Sequence, residues 1–330
     1  MSVIETTPSR EGLPLLVIPN CVPVMVKAFR ELLPEFDGIC RVRLFTDTML
    51  DEEVLARRMK GADAVIVVGF HVGDDLLRTM SQTVRCIAFG GTGVDNYVNL
   101  EQAKEYGIRI CNIVHYGDAA VAEHAIALLM EITRRVGEMN ADMHEGVWHP
   151  LDGMELYGKT MGIVGFGGIG QWVARIARGF GMNIKVWSRH PHEEAMRELQ
   201  AASVESIHDL FASSDVVSLH LAYNRNTRGI VTADDLDALR AGSILINTAR
   251  AELIEAGSLA KRLEKGDIYA GLDVFDREPM PEVDPLRVVP GTILTPHAAW
   301  CTDTAVRNAV RQCIDSVRGF YTGEATNVVV

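Results

Sequence analysis

The run Gly165-Phe166-Gly167-Gly168-Ile169-Gly170 has glycines at its first, third and sixth positions. It follows a short apolar stretch, 161–164, and opens a helical pattern over 169–180. Strand, glycine turn and helix in that order leave few structural solutions. Gly165 permits the tight turn, Gly167 lets the backbone approach a pyrophosphate, and Gly170 lets helix and strand pack closely. The phosphates are expected on the unpaired N–H groups that head the helix, among them those of Gly168, Ile169 and Gly170. The bland reading is a glycine-rich turn with no ligand.

The rest of the chain supports an α/β organisation. Strand-like runs at 15–18, 42–45, 64–68, 85–89 and 108–111 alternate with helical patterns at 24–33 and 51–60. After the glycine run come strand candidates at 184–187, 215–219, 243–247, 269–273 and 292–295. Near-continuous apolar strands separated by helices read as parallel sheets covered on both faces. A single long helix is expected over 119–144, with Ala122, Ala125, Ile126 and Leu129 on its core-facing stripe. Residues 145–158 lack periodicity and read as loop. Thr232 and Asp235 mark a helix start, and a last helix over 303–320 carries Val306, Val310, Cys313, Ile314 and Val317 on one face.

A length of 330 residues is about right for two domains. The net charge of −12 argues against a nucleic-acid footprint, which needs a basic stripe. Apolar runs are too short to span a bilayer. The first ten residues lack the apolar core of a signal peptide, so the cytoplasm is the default expectation. Six scattered cysteines, with no CxxC pair and no metal-ligand spacing, read as reduced thiols, mostly core fillers. His144 and His149 lack a compact third ligand, and no metal is expected.

The strand after the glycine run bears on which dinucleotide binds. An acid is commonly found there to accept from the adenosine ribose. Here Ser188 holds that place and Arg189 follows. Serine does not repel a 2′-phosphate and arginine can pair with one, which favours NADP(H) over NAD(H). Arg189 stacking on adenine or facing water is the competing reading.

Three charged groups lie just past the ends of later strands: Arg250 after 244–247, Glu278 after 269–273, and His297 after 292–295. Ligands of open parallel sheets bind at that edge. Arg250 suits a substrate carboxylate and developing charge on a carbonyl oxygen. His297 suits proton transfer near neutrality, with Glu278 orienting its ring. Taken alone, a histidine is more commonly a helix cap, a surface residue or a hydrogen-bonded filler, Arg250 could be a surface charge, and Glu278 a loop acid facing water. Thr248 and Ala249, in the turn before Arg250, are candidate cofactor contacts. Asp273 is a candidate partner of a nicotinamide carboxamide, or else a structural partner of nearby backbone N–H groups. His124, beside Glu123 on an apolar helix, reads as structural.

Taken together, the stretches FGGTGVDN, VAEHAIALL, GKTMGIVGFGGIG, INTAR, GLDVFDREP and TPHAAW, in that order, resemble the D-isomer-specific 2-hydroxyacid dehydrogenases. The resemblance implies two Rossmann-like or flavodoxin-like parallel-sheet domains. Residues 113–299 would form a dinucleotide-binding domain inserted into a discontinuous substrate-binding domain, 1–112 with 300–330. It implies Arg250 on the substrate carboxylate, Glu278 and His297 as an acid–base pair, and Asp273 near the nicotinamide. Backbone N–H groups of Thr92 and Gly93 would be carboxylate donors, and the family usually forms a homodimer through its nucleotide-binding domain. The implied activity is hydride transfer between NADP(H), or NAD(H), and a small 2-oxo or 2-hydroxy acid such as glyoxylate or hydroxypyruvate, with D stereochemistry.

The sequence departs from the family pattern at Ser188, at Ala251 where glycine is usual, and at Trp300. That tryptophan resembles the arrangement in C-terminal-binding proteins. It would form a wall of the substrate pocket or pack between domains. A cofactor-gated interaction protein is therefore the alternative to an enzyme, and a glycerate- or phosphoglycerate-type NAD-dependent dehydrogenase is the alternative substrate class.

Overall fold

The computed structural model describes residues 3–7, 9–190 and 192–330. The chain divides into two compact units, one running to Gly117 and resuming at Cys301–Val330, the other Asp118–Trp300. Residues 113–117 thus group with the first unit, five residues beyond the expected boundary. They are tied there by backbone: Ile113 N–H donates to the Gly91 carbonyl at 3.2 Å. Val114 exchanges two hydrogen bonds with the Gln312 amide, at 3.0 and 2.9 Å.

Among its described residues the first unit holds six strands, β1 (Val3–Glu5), β2 (Leu15–Ile18), β3 (Arg41–Phe45), β4 (Ala64–Val67), β5 (Cys86–Phe89) and β6 (Arg109–Cys111), in the order β1-β3-β2-β4-β5-β6. All neighbours pair in parallel except β1 with β3. β2, β4 and β5 are buried at every position, as parallel strands covered on both faces must be. The final helix, Asp303–Thr322, returns to this unit with Val306, Val310, Cys313, Ile314 and Val317 all buried, which is the face the periodicity predicted. Five of the six cysteines are buried free thiols and Cys301 is exposed.

Among its described residues the second unit holds seven strands, β7 (Thr160–Val164), β8 (Asn183–Trp187), β9 (Ala202–Ser203), β10 (Val216–Leu219), β11 (Ile244–Asn247), β12 (Tyr269–Leu272) and β13 (Thr292–Leu294). They pair in parallel throughout, in the order β13-β12-β11-β10-β7-β8-β9. The order reverses between β7 and β10, the switch point where a doubly wound sheet leaves a crevice. Register makes that edge a straight line. Leu294, Leu272, Asn247, Leu219, Val164 and Trp187 are Cα partners in one row across six strands. The next residue of each strand therefore emerges beside its neighbours: Thr295, Asp273, Thr248, His220, Gly165 and Ser188.

The expected single helix over 119–144 is two helices, Asp118–Arg134 and Val136–His144. The first buries Ala122, Ala125, Ile126 and Leu129 as the stripe predicted. Between them Arg135 is left-handed, at φ 49° and ψ 39°. The break is held by side chains that periodicity does not register. The Glu131 carboxylate accepts from Gly137 N–H, and the Arg135 guanidinium forks onto Glu138. The second helix buries no residue. No helix among the described residues is long and apolar enough to cross a membrane.

The glycine turn follows from local sterics. Gly165 has φ +94°, and a Cβ there would sit 2.7 Å from the His220 carbonyl oxygen. A Cβ on Gly170 would collide with the carbonyl oxygen of Gly165, whereas one on Gly167 would meet nothing within 4 Å. Gly170→Ala is accordingly expected to destabilise the protein by about 1–3 kcal/mol through overpacking. Gly167→Ala should change stability by no more than about 1 kcal/mol. Urea unfolding of the two variants beside the parent chain measures both; equal midpoints would contradict the packing role of Gly170.

Candidate active site

The residues that follow six strands of the second unit line the C-terminal edge of its sheet. Helix Gly168–Gly179 begins at the end of β7 with Gly167 as its N-cap and no side chain capping it. A Cβ on Gly167 would meet nothing within 4 Å, so the space beside the helix start is open. Gln171 Nε2 donates back to the Phe166 carbonyl at 3.1 Å and holds the turn from within. An uncapped helix start beside an open glycine suits a phosphate.

At the neighbouring strand ends two buried polar atoms, Thr248 Oγ1 and His220 Nδ1, have no partner among the described residues. His220 Nε2 lies 2.8 Å from Ser218 Oγ. Burial pushes its imidazole down to about 3, so the ring is neutral. Orphaned polar atoms next to the glycine turn fit a polar ligand along this crevice. His220 was missed from the sequence. Only the register of β10 against β7 brings it to the turn.

After β8, Ser188 Oγ donates to the His190 carbonyl at 3.3 Å. Arg189 is exposed, and its guanidinium donates to the Asn226 carbonyl at 2.5 Å. The turn after β8 is thereby tied to the loop after β10. No carboxylate stands at Ser188 or Arg189.

After β11, the buried Asn247 shapes the next turn. Its Oδ1 accepts from Ala249 N–H at 3.0 Å, and its Nδ2 donates to the Arg250 carbonyl at 2.9 Å. Asn247 was not singled out from the sequence, though the polar end of an apolar strand was a visible signal. Arg250 is half-buried and its guanidinium donates to the Ala249 carbonyl at 2.7 Å.

Glu278 and His297 meet directly: His297 Nδ1 lies 2.6 Å from Glu278 Oε2. Glu278 Oε1 accepts from Phe275 N–H at 3.0 Å. Burial raises the Glu278 carboxyl, but the His297 hydrogen bond and charge, the Phe275 amide and the Arg250 charge outweigh it. The group is held below the ordinary glutamate range. With Nδ1 engaged by Glu278, Nε2 is the ring atom left to exchange a proton.

Asp273 has zero exposure. Its Oδ1 accepts from Thr295 Oγ1 at 2.6 Å and Ala298 N–H at 2.8 Å, and its Oδ2 from Ala299 N–H at 2.9 Å. Of the two roles open from the sequence, pairing with backbone N–H groups is the one displayed. His124 Nε2 lies 2.9 Å from Thr295 Oγ1 and 3.5 Å from Asp273 Oδ1. Trp300 Nε1 donates to the His297 carbonyl at 3.0 Å, so its indole N–H is committed to this same loop.

In the other unit, the turn after β5 contains Thr92 and Gly93. The Thr92 carbonyl accepts from Asn112 Nδ2 at 2.9 Å.

Burial also raises the Asp273 carboxyl, and donors from His124, Thr295, Ala298 and Ala299 more than reverse it. A carboxyl with a depressed folded pKa stabilises the fold above its unfolded pKa and loses that contribution as pH falls through the folded value. Asp273→Asn should therefore be less stable than the parent at pH 7, by about 1–3 kcal/mol. The gap should close as pH drops below the ordinary aspartate range. Urea unfolding across pH 7 to 3 measures it, and a gap independent of pH would rule this out.

Comparison with known proteins agrees with this architecture. The family model described as "D-isomer specific 2-hydroxyacid dehydrogenase, NAD binding domain" matches residues 126–299. A glyoxylate reductase of Korarchaeum cryptofilum is 33% identical over 280 residues, covering 83% of this chain and 84% of that protein. A D-3-phosphoglycerate dehydrogenase of Methanocaldococcus jannaschii is 33% identical over 287 residues, 86% of this chain but 54% of that protein; the chain thus spans about half the length of that relative. The apo-structure of D-lactate dehydrogenase from Escherichia coli superposes with a TM-score of 0.84 at 27% identity, covering 96% of this chain and 100% of that one. On the matched glycine turn, the strand-end residues and these relatives, the chain belongs to the D-isomer-specific 2-hydroxyacid dehydrogenase family.

Proposed function

We propose that this chain is an NADPH-preferring reductase of small 2-oxo acids such as glyoxylate or hydroxypyruvate, giving the D-2-hydroxy acid where the product is chiral. The observation that carries the proposal is the His297–Glu278 pair at 2.6 Å, on the same sheet edge as Arg250 and the uncapped glycine turn. The glycine turn and Thr248 are the proposed holders of the dinucleotide, which when bound exchanges a hydride with the substrate carbon.

Arg250 grips the carboxylate and stabilises negative charge growing on the carbonyl oxygen. His297 delivers the proton to that oxygen from Nε2 while Glu278 holds Nδ1 and balances the imidazolium charge. In the oxidative direction neutral His297 takes the hydroxyl proton through the same atom. The NADPH preference is supported by Ser188 and Arg189, which present a hydroxyl and a guanidinium where a ribose-binding acid would repel the 2′-phosphate. Relatives at the level of family are named both as glyoxylate reductases and as phosphoglycerate dehydrogenases. The substrate is therefore argued from chemistry: one carboxylate-binding arginine and one acid–base histidine require no second anionic group.

A homodimer through the second unit is the proposed assembly. Helix Val136–His144 buries nothing, and the segment beyond it leaves Trp148 85% and Tyr157 76% exposed. Val136, Met143 and Val147 are exposed on the same stretch. Exposed large apolar side chains of this kind support reading the segment as an association surface. Light scattering should give twice the chain mass for the parent protein, and mainly monomer for Trp148→Glu with Tyr157→Glu. A monomeric parent at micromolar concentration would end this part of the reading.

The activity is tested by following nicotinamide absorbance with NADPH or NADH and a panel of 2-oxo acids. Turnover should be highest with a small acid and NADPH. No turnover with any member, or a clear preference for NADH, would count against the reaction or the cofactor respectively. His297→Ala should lower kcat by about 10²- to 10⁴-fold. Arg250→Ala should lower kcat by about 100-fold and raise KM as well. Kinetics unchanged in either variant would remove that residue from the mechanism.

A further inference from the structure

His297 has φ 52°. A left-handed backbone at a non-glycine residue is strained and persists only where the surroundings enforce it. The enforcing contacts are all local to one carboxylate. Thr295, two residues before His297, donates its hydroxyl to Asp273, and the amides of Ala298 and Ala299, directly after it, end on the same group. His297 is thus strung between two points of attachment to Asp273.

Behind that carboxylate stands His124, from helix Asp118–Arg134. A threonine hydroxyl has one proton. Thr295 gives its proton to Asp273, so the 2.9 Å contact with His124 needs a proton on Nε2. The same Nε2 lies 3.5 Å from Asp273 Oδ1. Among the described residues it is the one side-chain nitrogen paired with this fully buried carboxylate. It also links the loop to an element remote in sequence.

We infer that His124 is a positioning residue for proton transfer, its Nε2–H fixing Thr295 and Asp273 so that they hold His297 at the angle that meets Glu278. The inference rests on the acid–base role proposed for His297. Without this N–H the Thr295 hydroxyl is free to turn, and Asp273 keeps its charge with fewer donors. The segment carrying His297 then loses its fixed angle. Proton transfer suffers before substrate or cofactor binding, because geometry at the reacting atoms is the more demanding requirement.

The test uses the full chain with His124→Phe, which removes the N–H, and His124→Gln, which returns an amide N–H near the same place. His124→Phe should lower kcat roughly 10- to 100-fold. KM and the dissociation constant for NADPH should stay within about threefold. His124→Gln should recover most of the lost rate. A parent-like kcat in His124→Phe overturns the inference, as does a His124→Gln enzyme equally slow at equal thermal stability. Should His124→Phe not fold, Thr295→Val removes the intervening hydroxyl and is expected to show the same loss of kcat with KM preserved; a parent-like rate there also overturns it.

A separate arm needs no turnover. In protein carrying ¹⁵N-labelled histidine, the His124 signals should show hydrogen bonded to Nε2 at neutral pH. A bare Nε2 refutes the inference. Failure of the parent enzyme to reduce any acid would sink the proposed function and leave this spectroscopic result to decide the role of His124.

Discussion

The buried carboxylate of Asp273 is the constraint on which the site depends. A charge with zero exposure is costly unless its lone pairs are filled, and here three donors from one loop, joined by His124 at 3.5 Å, fill them. All three lie between residues 295 and 299, so satisfying the charge and shaping the loop are one event. The unusual backbone of His297 follows from it, and so does the short contact between the imidazole and Glu278. The carboxylate is held by neutral hydrogen-bond donors of its own loop rather than by a lysine or arginine.

The sheet provides the second constraint. Parallel strands in common register end on one line, so residues scattered over more than a hundred positions emerge side by side. Strand β7 delivers the glycine turn, β11 delivers Arg250 through the Asn247 bracket, and β12 and β13 deliver Asp273, Glu278 and His297. The rigid part of the site is therefore backbone geometry fixed by hydrogen-bonded strands. Side chains add the last adjustment through short bonds to neighbouring carbonyl and amide groups.

Much of this was legible in the chain before folding. The strands that flank the site end within a residue or so of their expected ends, because four or five β-branched and aliphatic residues bounded by polar turns leave little latitude. The glycine turn was equally readable, since Gly165 and Gly170 sit where a side chain would strike backbone. The helix over 119–144 was not, because its interruption at Arg135 depends on carboxylates at Glu131 and Glu138 that turn back on the chain. The antiparallel edge strand β1 escaped notice because three residues carry no period.

Local sequence by itself determined which residue types stand at each strand end and how tightly the chain turns there, since both are set by sterics over a few neighbouring residues. It could supply a carboxylate, an imidazole and a guanidinium without saying which contacts each would make. Tertiary structure decided that Asp273 faces inward to amides while Glu278 faces His297, and that Trp300 spends its indole N–H on the loop carrying that histidine. It also brought His124 from a distant helix to Thr295, and His220 to the glycine turn. These pairings arise only when separate segments meet, because hydrogen bonds in a buried site are assigned by which donors and acceptors arrive together.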